Sequence, residues 1–298
     1  MKLLNICYPK EPGYHKTLDV ITDAIVAHLP QETYKITQIW DPNALNVVYG
    51  TQGPEKNLKS IHVPHGISDK GVRTGKTMQK YGMTFVSSPV WKEKLIAQGL
   101  EPERILVGGW PKLDIIFNNP KPRPEKYQGK IIVLWAPTHT NDSNSTFYAM
   151  NSFNQWPDDI VIIKSPHPWD RHRCRLPSLQ PTMWDLTIAD VVISDASSII
   201  YESWVFGKHV MFLDWVSKET TLHGAPSVSY NRDIYEQNIG IHVPSEDKII
   251  DMIYHSQQIP LDPRSIDIAE AVLPTKLRGK SGKATAKELL KQLQKRQP

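Results

Sequence analysis

The chain has 298 residues, 40% of them apolar and 22% charged, a balance that excludes disordered and fibrous classes and leaves room for two ordinary domains. Lys and Arg number 35 against 31 Asp and Glu, for a formal net charge of +4 and a pI near 8.8, which suits anionic ligands but describes no nucleic-acid-binding tail. Only Cys7 and Cys174 are present, so no disulfide framework is expected and a reducing, cytoplasmic compartment is the simpler reading, with both thiols taken as small buried side chains.

The opening MKLLNICYPKEPG has an apolar run of five residues, too short for the core of a signal peptide, and reads as a first strand. Residues 15 to 28 predict a helix that places Leu18, Ile21, Ile25 and Leu29 on one face. The runs YKITQIW, LNVVYG, SIHVPHG, MTFVSSP and RILVGG then read as strands, with a short helix over 90 to 98 carrying Val90, Lys94, Leu95 and Ala97. The segment FNNPKPRPEKYQGK, residues 117 to 130, is rich in Pro and charge without periodicity, and reads as an interdomain linker. It divides the chain into an N-terminal domain over 1–120 and a C-terminal domain over 121–298.

In the second half KIIVLWAPT, DIVIIKSPH, DVVISDASS and HVMFLD repeat the strand pattern. Near-continuous apolar runs fit strands buried on both faces, and strands that alternate with helices imply parallel sheets. The tail KATAKELLKQLQKRQ has apolar residues at Ala286, Leu289, Leu290 and Leu293, predicting an amphipathic helix over 282–296 that packs back on the N-terminal domain. No segment approaches the roughly 20 apolar residues of a membrane-spanning helix, so any membrane contact is expected to be peripheral.

Ligands of open parallel sheets bind outside the carboxyl ends of the strands, and here those ends are polar and turn-rich. In SDASSIIYE, Ser197 and Ser198 fall where a strand gives way to a helix. Free N–H groups, the positive helix end and two hydroxyls there suit a diphosphate. Glu202, one turn on, shares the face of Ser198 and can accept from ribose hydroxyls, although helix caps and a solvated charge are the alternative. His65 precedes Gly66, which allows a sharp turn and a close ligand; its imidazole can take a proton from an acceptor hydroxyl, with a strand-end histidine bonded to a backbone carbonyl as the alternative, and Lys70 can neutralise a phosphate oxygen.

His167, fixed by Pro168, can stabilise charge on a leaving phosphate, and Arg171 and Arg173 beyond it can grip a polyanionic acceptor or form a solvated basic loop. Trp110, Trp135 and Trp169 beside these segments are open to base stacking or to core packing. His62 and His65 lack a neighbouring carboxylate or thiolate, and no tight carboxylate pair ends a strand. No metal site is therefore predicted and a divalent ion is not indicated as a cofactor.

Taken in order, the segments resemble the CDP-glycerol glycerophosphotransferase family, the teichoic acid primases and polymerases. The family pattern H-G-x-x-x-K, G-x-P-x-x-D, A-P-T, H-P, S-D-x-S-S-x-x-x-[DE] is met by His65, Gly66 and Lys70, by Gly109, Pro111 and Asp114, and by Ala136, Pro137 and Thr138. His167 and Pro168 follow, then Ser194, Asp195, Ser197, Ser198 and Glu202. The stretch GKSGKAT resembles the family's Gly-Lys-Ala ending.

The resemblance implies a GT-B fold, an α/β pair of Rossmann-like domains with parallel sheets and an interdomain cleft. It implies His65 and His167 as catalytic residues, His65 being the general base. It also implies a nucleotide diphosphate donor on Lys70, Pro137, Thr138, Ser197, Ser198 and Glu202, with Gly66, Gly109, Asp114 and Asp195 in support. The activity implied is transfer of a polyol-phosphate from a CDP-activated donor to an acceptor hydroxyl, with release of CMP. Where the family has an Arg after A-P-T this chain has His139 and Thr140. That departure and the compact length keep two alternatives open: a glycosyltransferase that uses a nucleotide sugar on a glycan or a modified DNA base, and a binding protein without turnover.

Overall fold

The apolar runs of the first half form strands β1 (Leu4–Cys7), β2 (Tyr34–Thr37), β3 (Leu45–Tyr49), β4 (Asn57–Val63), β5 (Tyr81–Val86) and β6 (Ile105–Val107). Helices α1 (His15–Val26), α2 (Gly75–Met78), α3 (Pro89–Ala97) and α4 (Asp114–Asn118) lie among them. The second half supplies β7 (Ile131–Trp135), β8 (Ile160–Lys164), α5 (Thr182–Ile188), β9 (Val191–Ser194), α6 (Ile199–Val205), β10 (His209–Leu213), α7 (Asp214–Gly224), α8 (Tyr230–Glu236) and β11 (Ile241–Val243). Helices α9 (Ile249–Ser256), α10 (Pro263–Val272) and α11 (Ser281–Gln294) close the chain. This computed structural model describes residues 3–7, 15–49, 57–67, 69, 75–138, 156–167 and 182–295.

Two units result, one of Met1–Ile67, Val72–Asn119 and Ala271–Pro298, the other of Ser68–Gly71 and Pro120–Glu270. The first holds a six-stranded parallel sheet in the order β2-β1-β3-β4-β5-β6, with Leu4 beside both Tyr34 and Leu45. One face packs Leu4, Ile6, Val47, Ile61 and Phe85 against Leu18, Ile21 and Ile25 of α1 and Ala286, Leu289 and Leu293 of α11. Each such Leu or Ile contributes about 1.5–3 kcal/mol on burial, so the amphipathic patterns of α1 and α11 decide where those helices lie. Val48, Met78, Val86, Leu95 and Ile105 form a second cluster with α2 and α3. Helix α3 starts at Pro89, with the Ser88 hydroxyl accepting the Trp91 N–H at 3.2 Å.

The second unit holds a five-stranded parallel sheet in the order β11-β10-β9-β7-β8. Val133, Trp135, Val191, Ile193, Met211 and Leu213 pack there against Ile249 and Ile253 of α9. Strand β11 escapes the sequence reading because it is three residues long with His242 at its centre, leaving no apolar run to recognise.

The domain boundaries drawn from sequence differ from these units in two respects, the first being that Ser68–Gly71 groups with the second unit. The second is that everything from Ala271 on groups with the first unit, earlier than the helix start at 282. The linker is also less free than its composition suggests: Arg123 binds both carboxylate oxygens of Asp190 at 3.0 and 2.8 Å and donates to the Tyr127 carbonyl. Cys7 is half-buried and hydrogen-bonds with Asn5, and burial pushes its thiol up to about 11. Among the described residues no helix is long and apolar enough to cross a membrane.

Candidate functional site at the second sheet

In the second sheet the chain leaves β7 for β8 on one side and returns to β9 on the other, so the loops after β7 and β9 diverge at the carboxyl edge. Such a reversal of strand order opens a crevice where ligands of parallel sheets bind. The loop after β7 carries Ala136, Pro137 and Thr138; the loop after β9 carries Asp195, Ala196, Ser197 and Ser198.

The two loops are fastened to each other. The Thr138 N–H donates to both carboxylate oxygens of Asp195, at 2.9 and 3.2 Å, and the Ala196 N–H donates to Oδ1 at 2.6 Å. The Ser194 hydroxyl donates to the Ala136 carbonyl at 2.8 Å and lies 3.4 Å from the Ser197 hydroxyl. Asp195 is only 4% exposed, so these charge-assisted bonds sit away from solvent and hold the loops more firmly than surface bonds would. Trp135, Pro137, Ser194, Asp195, Leu213 and Ser217 line a small pocket beneath them.

Ser197 and Ser198 are half-buried at the entrance to α6. The Ser197 hydroxyl accepts the Ile199 N–H at 3.2 Å, while the Ser198 hydroxyl donates to Glu202 Oε1 at 3.3 Å. Among the described residues the N–H groups of Ser197 and Ser198 donate to no protein acceptor, so two backbone donors remain available at the mouth of the crevice. Glu202 differs from the sequence reading. It shares a helix face with Ser198 as the spacing predicts, but that face is covered: Glu202 is 0% exposed, and its carboxylate orients the Ser198 hydroxyl instead of reaching a ribose.

Tyr235 of α8 supports the crevice from behind, and the sequence reading did not anticipate it. Its buried hydroxyl donates to the Asp195 carbonyl at 2.9 Å and shares a 2.8 Å bond with the Ser217 hydroxyl. Burial drives this phenol well above its ordinary value, so it stays protonated as a donor. Tyr235 also meets His242 edge-on, with centroids 5.4 Å apart, and His242 Nδ1 pairs with Asp214 Oδ1 at 2.7 Å. No sequence spacing links Asp195, Ser217, Tyr235 and His242; only the sheet order brings them together.

His167 is half-buried just after β8, which neighbours β7 in the same sheet. His65 and Gly66 belong to the first unit, after β4, with His65 half-buried and Gly66 buried. Lys70, Arg171 and Arg173 lie outside the described residues, as do Pro168, Trp169, Cys174, His139 and Thr140. Trp110 and Trp135 are core residues, 1% and 2% exposed, and offer no stacking surface.

The G-x-P-x-x-D segment anchors structure within the first unit. Gly109 adopts φ +79°, and a Cβ there would lie 2.3 Å from the Ser281 hydroxyl, so both the conformation and the space require glycine. Asp114, 6% exposed, accepts the Ser281 N–H at 3.0 Å and the Gly282 N–H at 2.6 Å, capping α11. Desolvation raises the Asp114 carboxyl above its ordinary value, and the two backbone N–H groups oppose that rise. Among the described residues no group of three or more His, Cys, Asp and Glu side chains comes together.

No family model matches the chain, and no curated protein matches it. Solved structures do. A structure of the wall teichoic acid polymerase TagF aligns with 99% of this chain and 89% of its own at 12% identity, with a TM-score of 0.62. A UDP-N-acetylglucosamine 2-epimerase from Listeria monocytogenes aligns with 97% of this chain and 95% of its own at 13% identity, TM-score 0.54. Another UDP-N-acetylglucosamine 2-epimerase aligns over 100% and 97% at 13% identity, TM-score 0.51. With two Rossmann-like units, each built on a parallel sheet, the chain has the GT-B fold.

Proposed function

We propose that the crevice between the β7 and β9 loops holds the diphosphate of an activated nucleotide. In this reading the chain transfers a polyol-phosphate group from a CDP-linked donor to an acceptor hydroxyl. The observation that carries the reading is the pair of unspent N–H groups at Ser197 and Ser198, set where the strand order reverses and steadied by Asp195. Oriented backbone donors at such a point suit phosphate oxygens. The ordered motifs around them and the likeness to TagF, one structure of which was soaked with CDPG, favour a CDP-polyol as donor.

In the proposed reaction His65 accepts the proton of the acceptor hydroxyl as that oxygen attacks the β-phosphorus of the donor. A new oxygen–phosphorus bond forms, the bridging bond to the nucleotide breaks, and CMP leaves with the electron pair. His167 and the Ser197 and Ser198 donors stabilise negative charge on the diphosphate as it builds on the leaving group. Lys70 and the Pro137–Thr138 loop complete the donor contacts, with Asp195 as the residue that positions the loop, and Arg171 and Arg173 bind an anionic acceptor.

The test is to incubate the full chain with CDP-glycerol and, separately, with UDP-sugars, and to identify the nucleotide released. CMP from CDP-glycerol supports the reading. Release of UDP from a UDP-sugar, with CDP-glycerol left intact, replaces it with glycosyl transfer, and binding without any release replaces it with a non-catalytic role.

A further inference from the structure

Between His65 and Lys70 the chain carries an acid, Asp69, that the H-G-x-x-x-K pattern leaves unspecified. The chain belongs to the first unit up to Ile67 and again from Val72, but Ser68–Gly71 groups with the second. Within that second unit the half-buried Asp69 accepts the Tyr230 N–H on Oδ2 at 2.7 Å, across 161 residues of chain. Tyr230 opens α8, so its N–H is one of the donors for which the helix itself has no carbonyl. The Ser229 hydroxyl accepts the Arg232 N–H at 3.2 Å, and Asp69 brings the second acceptor from outside the helix. A carboxylate on a backbone N–H makes a charge-assisted bond, stronger than a neutral one.

Behind Tyr230 the contacts continue to the crevice. The Tyr230 ring meets Tyr201 of α6 edge-on, with centroids 6.4 Å apart. Tyr201 is 0% exposed, and its hydroxyl donates to Asn231 Oδ1 at 2.9 Å, which fixes α8 against α6. Helix α6 is the one whose entrance carries Ser197 and Ser198. Burial raises both phenols above their ordinary value, and the negative charge of Asp69 raises them further, so both stay protonated beside the carboxylate.

We propose that Asp69 is a positioning residue of the donor site: by binding the Tyr230 N–H it keeps the segment that carries Lys70 with the second unit, where the crevice lies. The proposal rests on the reading in which Lys70 neutralises a phosphate oxygen. Lys70 is the next residue along the chain, so fixing Asp69 bounds where the Lys70 backbone can lie. A lysine side chain is long and flexible and loses rotamer freedom when it grips an anion. Anchoring the adjacent backbone beforehand lowers the ordering that remains when the ligand arrives. Asp69 acts here through Lys70 and touches no ligand itself.

The experiment measures affinity of the full chain for CDP, and for cytidine, which has no phosphate, in the parent, Asp69→Ala, Lys70→Ala and the double variant. Asp69→Ala is expected to weaken CDP about tenfold while cytidine is unchanged, and to add less than about twofold once Lys70 is already Ala. Asp69→Asn keeps an oxygen acceptor and restores most of the affinity. Two further variants separate the bond from the ring. Tyr230→Pro removes the N–H at a first helical position, which Pro suits, after a Ser229 already extended at φ −155° and ψ 145°. Tyr230→Ala removes the ring and keeps the N–H, so Tyr230→Pro is expected to bind CDP more weakly than Tyr230→Ala. Equal losses for CDP and cytidine, additive losses in the double variant, or equal CDP affinity in the two Tyr230 variants would overturn the proposal. A loss in Lys70→Ala with none in Asp69→Ala would overturn it alone. No CDP binding by the parent, or no loss in Lys70→Ala, would remove the donor role of Lys70 and the proposal with it.

Discussion

The Asp114 carboxylate accepts the N–H of Gly282 at 2.6 Å across 168 residues of chain. Two segments that resemble family motifs, G-x-P-x-x-D and the stretch before the last helix, thus meet each other inside the first unit. Their chemistry is that of a helix cap: each oxygen of a buried acid accepts one of the otherwise unsatisfied N–H donors of α11.

Asp114→Ala strands two buried N–H groups, and is expected to lower stability by about 2 kcal/mol or more in urea denaturation. The carboxyl also gives this cap a pH dependence. Its value is raised above 3.8 by burial, so the folded state binds its proton more readily than the unfolded state. Its contribution is fully present below 3.8 and declines as pH rises through the folded value, and Asp114→Asn is expected to remove that slope. A variant as stable as the parent with the same pH profile would contradict the cap.

Gly282→Ala tests the packing by its sign. In an open helix this change stabilises by about 1 kcal/mol. Here the added Cβ would lie 2.0 Å from the Ala24 carbonyl oxygen of α1, so a loss of roughly 2 kcal/mol or more is expected in the same denaturation experiment.

Asp195→Ala releases the Thr138 and Ala196 N–H groups and lets the β7 loop move. Donor affinity by calorimetry is expected to fall about tenfold, equivalent to about 1.4 kcal/mol. Tyr235→Phe removes one bond to the Asp195 carbonyl, and a stability loss of about 1 kcal/mol with a smaller rise in donor KM is expected. A fall in kcat with KM unchanged would instead give Tyr235 a part in the chemistry.

His65→Ala is expected to abolish transfer while donor affinity stays nearly intact, because a general base acts on the acceptor. Retention of most activity would remove His65 from that role.

The strands were legible wherever burial on both faces produced an apolar run, as in IIVLW of β7 and HVMFL of β10. The helices α1 and α11 were legible from the spacing of Leu18, Ile21 and Ile25 and of Ala286, Leu289 and Leu293, all of which face the core. What spacing could not reveal was which side of a helix is covered, so Glu202 was placed on the face of Ser198 without sign that this face is enclosed. Contacts made by distant residues were equally hidden: nothing near Asp114 in sequence announces Ser281, and nothing near Asp195 announces Tyr235.

The most direct test of the donor site is amide hydrogen exchange of the full chain with and without CDP-glycerol. The account predicts slowed exchange at the amides of Thr138, Ser197 and Ser198. Unchanged exchange at all three, while CDP-glycerol slows other segments, would contradict it.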